Sequence, residues 1–268
     1  MDKLTNIFRP SNVSLIRELV ISEFKLRYQN SFLGYLWSLL RPLLMFGVLY
    51  VVFTHVIRIG TDVPYYPAYL LLGLVIWTFF IESTSNGMNA ITGRGDLVRK
   101  VSIPKYTIIL STTISSFVNF ALNLVVVLVF MILNGVPLTL NIVLFIPLVI
   151  QLFVFCLGLA FFLSAVFVKY RDIGHIWEVI LQVLFYATPI IYTFAIVPAK
   201  LAKIVSLSPL TQIIQDSRAV LITRDTLTVA EVYGSGFARL APFFISLLVF
   251  AIGALYFRSN SHKFAEEL

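Results

Sequence analysis

Six apolar stretches divide the chain, at roughly 33–57, 68–86, 107–133, 142–168, 175–194 and 237–257. Each is close to the ~20 apolar residues a helix needs to cross ~30 Å of hydrocarbon. The pattern between them is different. Over SLIRELVISEFKLRYQNS, residues 14–31, Leu15, Ile16, Leu19, Val20 and Phe24 recur at helical spacing, with Arg17, Glu18, Ser22, Lys25 and Gln29 largely opposite. This predicts a basic amphipathic helix within 11–31, capped by Asn12 or Ser14 and lying in the membrane interface; packing on a partner protein is the alternative. The segment 195–236 is amphipathic, too polar to span, and broken by Pro198 and Pro209. It reads as a hairpin of short helices dipping into the outer leaflet, where such backbone needs cover from protein or a watery cavity. The expected fold is an all-α membrane protein. One transmembrane domain over 1–268 has six spans, an interfacial N-terminal helix and a re-entrant outer hairpin between spans five and six.

Composition fixes the solvent. Of 268 residues 59% are hydrophobic and 12% charged, with a mean hydropathy of +0.93, against about 45–50% apolar and about 25% charged in soluble domains. The net charge of +7 does not point to nucleic acid, because the cations sit at the ends of apolar runs, as membrane flanks place them. With the N-terminus inside, Lys3, Arg9, Arg17, Lys25, Arg27, Arg41, Arg94, Arg99, Lys100, Lys105, Lys169, Arg171, Arg258 and Lys263 are inner. Arg58, Lys200, Lys203, Arg218, Arg224 and Arg239 are outer. The bias toward the inner flanks puts both termini in the cytoplasm and makes 91–106 an inner loop. Arg41-Pro42 falls inside the first span, whose length needs the residues before it; Arg41 is expected to snorkel to the headgroups. MDKLTNIFRPSN does not read as a removable signal peptide. Cys156, the single cysteine, cannot form an internal disulfide and reads as a small buried apolar residue.

The motifs of an enzyme are missing from the letters. There is no phosphate loop, no nucleophile elbow, and no pairing of His55, His175 and His262 at metal spacing. Glu82, Glu178 and Asp172 lie near expected inner ends and read as interface residues pairing with cations. RGD at 94–96 is an adhesion tripeptide by letter only. In the inner loop ITGRGDLVRKVSIPKY, covering 87–106 with its flanks, Gly93 and Gly95 allow turns, Asp96 can cap a short helix and Pro104 ends it. Leu97, Val98, Arg99 and Lys100 on that helix form a plug for a groove on another protein; a basic loop on anionic headgroups is the alternative. Aromatic residues make up 15% of the chain. Trp37, Trp77 and Trp177 suit interfacial belts. Phe46, Tyr50 and Phe53 share one face of the first span, Phe185, Tyr186 and Tyr192 crowd the fifth, and Tyr65, Tyr66 and Tyr69 open the second. Rings of this kind can line a path for a sliding carbohydrate, or simply pack.

The chain resembles a known family at four stretches: EFKLRYQNSFLGYLWSLLRPLLMF at 23–46, GRGDLVRKVSIPKY at 93–106, VKYRDIGHIWEVILQVLFYATPIIY at 168–192 and LSPLTQIIQDSRAVL at 207–221. Together they are similar to the membrane subunits of ABC-2 type exporters of polysaccharides and polyol phosphates, the O-antigen, capsule and teichoic-acid permeases. The proline-ended loop departs from the family pattern, with Ile103 where an aromatic usually precedes Pro104. The resemblance implies a transport subunit, not an enzyme, in a bacterial cytoplasmic membrane. It implies a second copy of the chain, two cytoplasmic ATPase subunits that carry the ATP and magnesium, and a lipid-linked polymer as cargo. Asp96, Leu97, Val98, Arg99 and Lys100 then correspond to the coupling helix. Phe46, Tyr50, Phe53, Tyr69, Phe185, Tyr186 and Tyr192 are the expected channel lining, and Arg27, Arg41 and Arg171 the grip on a lipid diphosphate. Export of small hydrophobic compounds, and a membrane-embedded transferase acting on lipid-linked sugars, are the other readings.

Overall fold

The computed structural model describes residues 10–28, 34, 36–58, 63–100, 103–137 and 140–267, and every regular element among them is helical. Five helical stretches are long and apolar enough to cross a membrane: Leu36–Val56, Tyr66–Asn89, Tyr106–Leu133, Leu140–Lys169 and Gly236–Asn260. They fall on five of the six windows read from the sequence.

The first helix, α1 (Pro10–Tyr28), packs on α5 (Tyr106–Leu133). Proline suits a first helical turn because its missing N–H has no partner there anyway. The helix therefore starts ahead of Asn12 and Ser14, which lie inside it instead of capping it. α2 (Leu36–Val51) runs on into a π-helical turn at Val52–Val56. Pro42 lies inside α2 and cannot donate to the carbonyl four residues back, Ser38. Asn123 of α5 donates to that carbonyl at 3.2 Å, so the proline is accommodated by a neighbouring helix.

α3 (Tyr66–Asn89) is the centre of the bundle. It touches α2, α5, α6 (Phe145–Lys169), α7 (Ile173–Ala187) and α9 (Pro209–Leu221). From Tyr66 to Phe80 it is buried except at Pro67 and Thr78. α3 and α5 meet through Phe79 against Phe117 and Phe120, and both helices also bury small polar side chains: Ser83 and Thr84 on α3, Ser111, Thr112, Thr113, Ser115 and Ser116 on α5. Small side chains let helices approach closely without a hydrophobic drive, and hydroxyls can return to their own backbone. Thr84 donates to the Phe80 carbonyl at 2.7 Å and Thr112 to that of Ile108 at 3.1 Å.

α6 and α11 (Leu240–Asn260) pack directly against each other. A Cβ on Gly253 would stand 2.0 Å from the Gly158 carbonyl oxygen, and one on Gly158 would stand 2.4 Å from the Phe250 Cα. The two backbones touch at this crossing.

The window at 175–194 behaves differently. α7 covers 15 residues, about 22 Å of helix, and ends at Ala187 ahead of Thr188-Pro189. Proline disfavours helical backbone in the residue before it, and Thr188 is indeed extended. The apolar run continues, but as irregular backbone with Thr188, Pro189, Ile190 and Ile191 all buried. The chain then forms α8 (Ala199–Ser206), α9 and α10 (Val229–Tyr233). α10 starts with a capping box in which Thr228 and Glu231 satisfy each other's backbone N–H. Two ends of the bundle can be told apart. One gathers α1, α4 (Gly95–Lys100), α12 (Phe264–Glu267) and the C-terminal ends of α3, α6 and α11; the other gathers residues 188–191, α9 and the N-terminal ends of α3, α6 and α11.

Candidate functional site

A groove lies between α2, α3 and α7. It consists of two adjoining cavities of about 320 and 420 Å³ that share Arg41, Pro42 and Glu82. Toward the α4 end it is polar, with Trp37, Ser38, Asn86 and Asn119. Asn119 donates to both oxygens of Glu82, at 3.3 and 3.0 Å, holding the carboxylate beside Arg41 along the groove wall. Toward the other end it is aromatic: Trp77 stands 5.5 Å from Phe185, which meets Tyr186 edge-on at 5.4 Å. Tyr186 is 70% exposed. α2 and α7 carry unpartnered apolar faces beside it, including Val48 at 65% and Val183 at 61% exposure.

Of the expected channel aromatics, the groove thus collects Phe185 and Tyr186. Phe46 is buried, stacked on Tyr50 at 5.7 Å and edge-on to Phe130 of α5 at 5.3 Å. Phe53 is half-buried against the same core. Tyr69 and Tyr192 belong to the opposite end of the bundle, described next. Trp37 is exposed, whereas Trp77 and Trp177 are buried around Phe80 rather than ringing the surface. Of the expected phosphate grip, Arg41 lines the groove. Arg171 stacks over Phe167 at 5.3 Å at the end of α6, and the side chain of Arg27 lies outside the described residues.

At the outer-expected end Arg218 of α9 is wholly buried. Its Nε donates to the Tyr69 carbonyl at 3.0 Å, and its two terminal nitrogens donate to the Pro189 and Ile190 carbonyls at 2.6 and 2.7 Å. The guanidinium lies 3.6 Å from the Tyr69 ring centroid. Among the described residues no carboxylate pairs with it; carbonyl dipoles and an aromatic face balance the charge. Tyr66 adds a bond to the Ile191 carbonyl at 2.7 Å, and Tyr192 donates back to Tyr186 and Ala187 at 3.0 and 3.3 Å. These donors satisfy the carbonyls freed where α7 stops, which buried backbone requires. Gly73 makes the room: a Cβ there would lie 2.5 Å from an Arg218 nitrogen. Sequence reading placed Arg218 simply among the outer cations. The signal available was Gly73, the one glycine in the large apolar run LLLGLVIW, facing an arginine on a segment of helical period.

Between α6, α9 and α11 a further cavity of about 660 Å³ opens, lined by Gln151, Gln212, Asp216, Arg224, Arg239 and Phe243 among others. Gln151 donates to Gln212 at 2.7 Å and to Ser246 at 3.2 Å, and Gln212 donates to Asp216 at 2.7 Å. Asp216 faces Arg239 at 3.6 Å. Burial holds this carboxyl, in the hairpin outside the five candidate spans, above the usual range, against the lowering pull of Gln212 and Arg239. The network joins α9 to α6 and α11.

At the inner-expected end, α4 follows a single 3₁₀ turn at Thr92–Arg94. Val98 is buried and Leu97 half-buried, while Asp96, Arg99 and Lys100 are exposed. The displayed face is therefore charged, with the apolar pair turned toward the protein. Arg94 pairs with Glu23 of α1 at 3.0 Å, and Thr112 donates to the same carboxylate oxygen at 3.2 Å. α1 is thereby tied to the turn that leads into α4. Lys105, at the start of α5, donates to the Ser261 carbonyl, and partial burial lowers its pKa.

Comparison with known proteins places this architecture. A family model described as ABC-2 type transporter matches residues 14–222. The chain is 31% identical over 256 residues to the O-antigen export system permease protein RfbA of Myxococcus xanthus, covering 95% of both chains. Two proteins of the same description from Klebsiella pneumoniae are 28% and 26% identical, each covering 92% of both chains.

Proposed function

The chain belongs to the ABC-2 type transporter family, and from that membership we propose that it is the permease through which an ATP-driven exporter passes a lipid-linked polysaccharide. It is a membrane transport component rather than an enzyme. A polymer of O-antigen type is the cargo favoured by the three relatives; capsule and teichoic-acid chains are the related polymers. The chain sits in the bacterial cytoplasmic membrane with both termini inside. α7 makes the sixth crossing, because it starts beside the inner end of α6 and the carbonyls just past its end, those of Pro189 and Ile190, meet Arg218. α1 lies at the inner interface, and the segment 195–236 is a re-entrant outer gate pinned by Arg218.

One observation carries the reading: the groove between α2, α3 and α7 is walled by α3 and open toward the bare faces of α2 and α7. It is half of a conduit, and a second copy supplies the other half. Its gradation suits the cargo. Guanidinium groups match phosphate geometry, so Arg41, with Arg27 and Arg171 nearer the inner surface, meets the lipid diphosphate. Trp77, Phe185 and Tyr186 offer faces on which sugar rings slide. Two ATPase subunits, which bind the ATP and magnesium, dock on Asp96, Arg99 and Lys100 with Leu97 and Val98 behind them. Export of small hydrophobic compounds would use the same groove without its charged end. A transferase would need acidic groups gathered at the membrane surface, whereas Glu82 is committed to Asn119.

Cysteine cross-linking tests the conduit, since Cys156 is buried and silent. Val48→Cys and Val183→Cys variants are expected to form dimers in membranes under mild oxidation, and Val125→Cys on the exposed face of α5 is not. In the same background, Phe185→Ala with Tyr186→Ala is expected to slow polymer export roughly tenfold through lost ring contacts, with the protein accumulating normally. Cross-linking at Val125 but not at Val48 or Val183 would place the partner on another face and remove the conduit.

A further inference from the structure

We propose that the C-terminal segment Ser261–Glu267 is a clasp that positions α4 and passes its displacement to the α6–α11 pair, with Phe264 as the positioning residue. The inference rests on the permease reading and adds to it a second route from the ATPase-facing helix into the membrane bundle.

α4 has six residues, too few to hold a helix unaided. Its own buried side chain, Val98, does not pack only on α3 and α5, the helices that flank it in sequence. It sits in a cluster with Phe264, Phe257 of α11 and Val168 of α6. Phe264 is 0% exposed. Two contacts tether it. Its ring meets Phe257 edge-on at 5.3 Å. Lys105 stands over the ring at 5.7 Å while donating to the Ser261 carbonyl. α12 touches both α4 and α6, and Glu267 lies within electrostatic reach of Lys169 at the end of α6.

The far side of the route is stiff. α6 and α11 touch backbone to backbone at Gly158 and Gly253, so the pair moves as one body. Its outer half carries α9 through the bonds from Gln151 to Gln212 and Ser246. A push on α4 therefore reaches the hairpin through Phe264, α6–α11 and α9, in parallel with the covalent path through α3 and α5. Packed chains of this kind are a means of coupling distant sites, and perturbing the proposed contact is the evidence that such a claim needs.

The full chain, expressed with its cognate ATPase in cells that depend on it for surface polysaccharide, gives the test. Three quantities are read: ATPase retained by the purified permease, ATP hydrolysis by that complex, and polymer at the cell surface. Phe264→Ala is expected to keep the complex and its hydrolysis while export falls about tenfold, within the range of ordinary coupling energies. Phe264→Leu, which refills the cluster, is expected to restore most of the export. Native export by Phe264→Ala would overturn the proposal. Loss of the permease or of ATPase binding would overturn it too, by making Phe264 a folding or docking element. If the native pair itself moves no polymer, the permease reading fails instead, so the native control separates the two failures.

Discussion

An Arg218→Met variant is expected to lose its outer hairpin while the helix bundle stays in the membrane. Methionine keeps most of the side-chain volume and removes every donor. The carbonyls of Pro189 and Ile190 lose their donor together, and that of Tyr69, inside α3, keeps only its helical bond. Leaving a buried polar group unsatisfied costs about 1–3 kcal/mol. Against that stands relief from burying a cation, which is why replacing a whole buried ionic group by apolar ones can be harmless. Here only one side of the network is replaced, so the balance falls against the variant by roughly 3–5 kcal/mol, as for other broken buried partners. Arg218→Lys is expected to help little, because one ammonium cannot span three carbonyls on two elements. Limited proteolysis from the outer side checks this: cleavage between 195 and 236 should rise sharply in both variants, with native resistance at 91–106. A hairpin as resistant as native in Arg218→Met would show that α9 is held by other contacts.

The second large effect is expected at Gly253. The obstruction there is backbone: the Gly158 carbonyl oxygen lies 2.0 Å from a new Cβ, and a main-chain atom inside a helix cannot rotate aside. Overpacking of a close-packed core usually costs about 1–3 kcal/mol, and here the helix axes themselves must separate. Gly253→Ala should therefore melt well below the native protein in detergent, and Gly253→Leu should fail to accumulate. Gly236→Ala is the control, since nothing lies within 4 Å of its Cβ. Equal melting of Gly253→Ala and Gly236→Ala would contradict the close crossing of α6 and α11.

These two sites mark where sequence reading stops. Helix number and length are written in runs of apolar residues, because hydrocarbon penalises every exposed polar group; five of the six windows coincide with long helices for that reason. The window at 175–194 looked equally apolar, yet α7 ends at Ala187. Hydropathy records what lipid tolerates and is silent on Thr188-Pro189, where the backbone turns and its carbonyls need donors from elsewhere. The donor, Arg218, counted in the sequence as one more outer cation. Its burial depends on Gly73, which is 145 residues away and meaningful only once the helices are assembled. The Ser38–Asn123 bond that accommodates Pro42 is hidden in the same way.

The candidate site was half legible. Phe185, Tyr186 and Arg41 do meet in one groove, but the periodic set Phe46, Tyr50 and Phe53 turns largely toward the core. A helical stripe gives the direction in which residues face together; it does not give what they face. In α4 the basic glycine-flanked loop was readable as a short helix. Which of its residues turn inward depended on Phe264, far down the chain.

The most direct measurement is made in a host strain lacking this chain, following the fate of newly made polysaccharide with and without the cognate ATPase. The account predicts that the strain makes lipid-linked polymer and retains it inside, and that restoring the chain moves it to the surface only when an active ATPase is present. Surface polymer restored without ATPase activity, or a strain that makes no polymer until the chain returns, would contradict an ATP-driven permease.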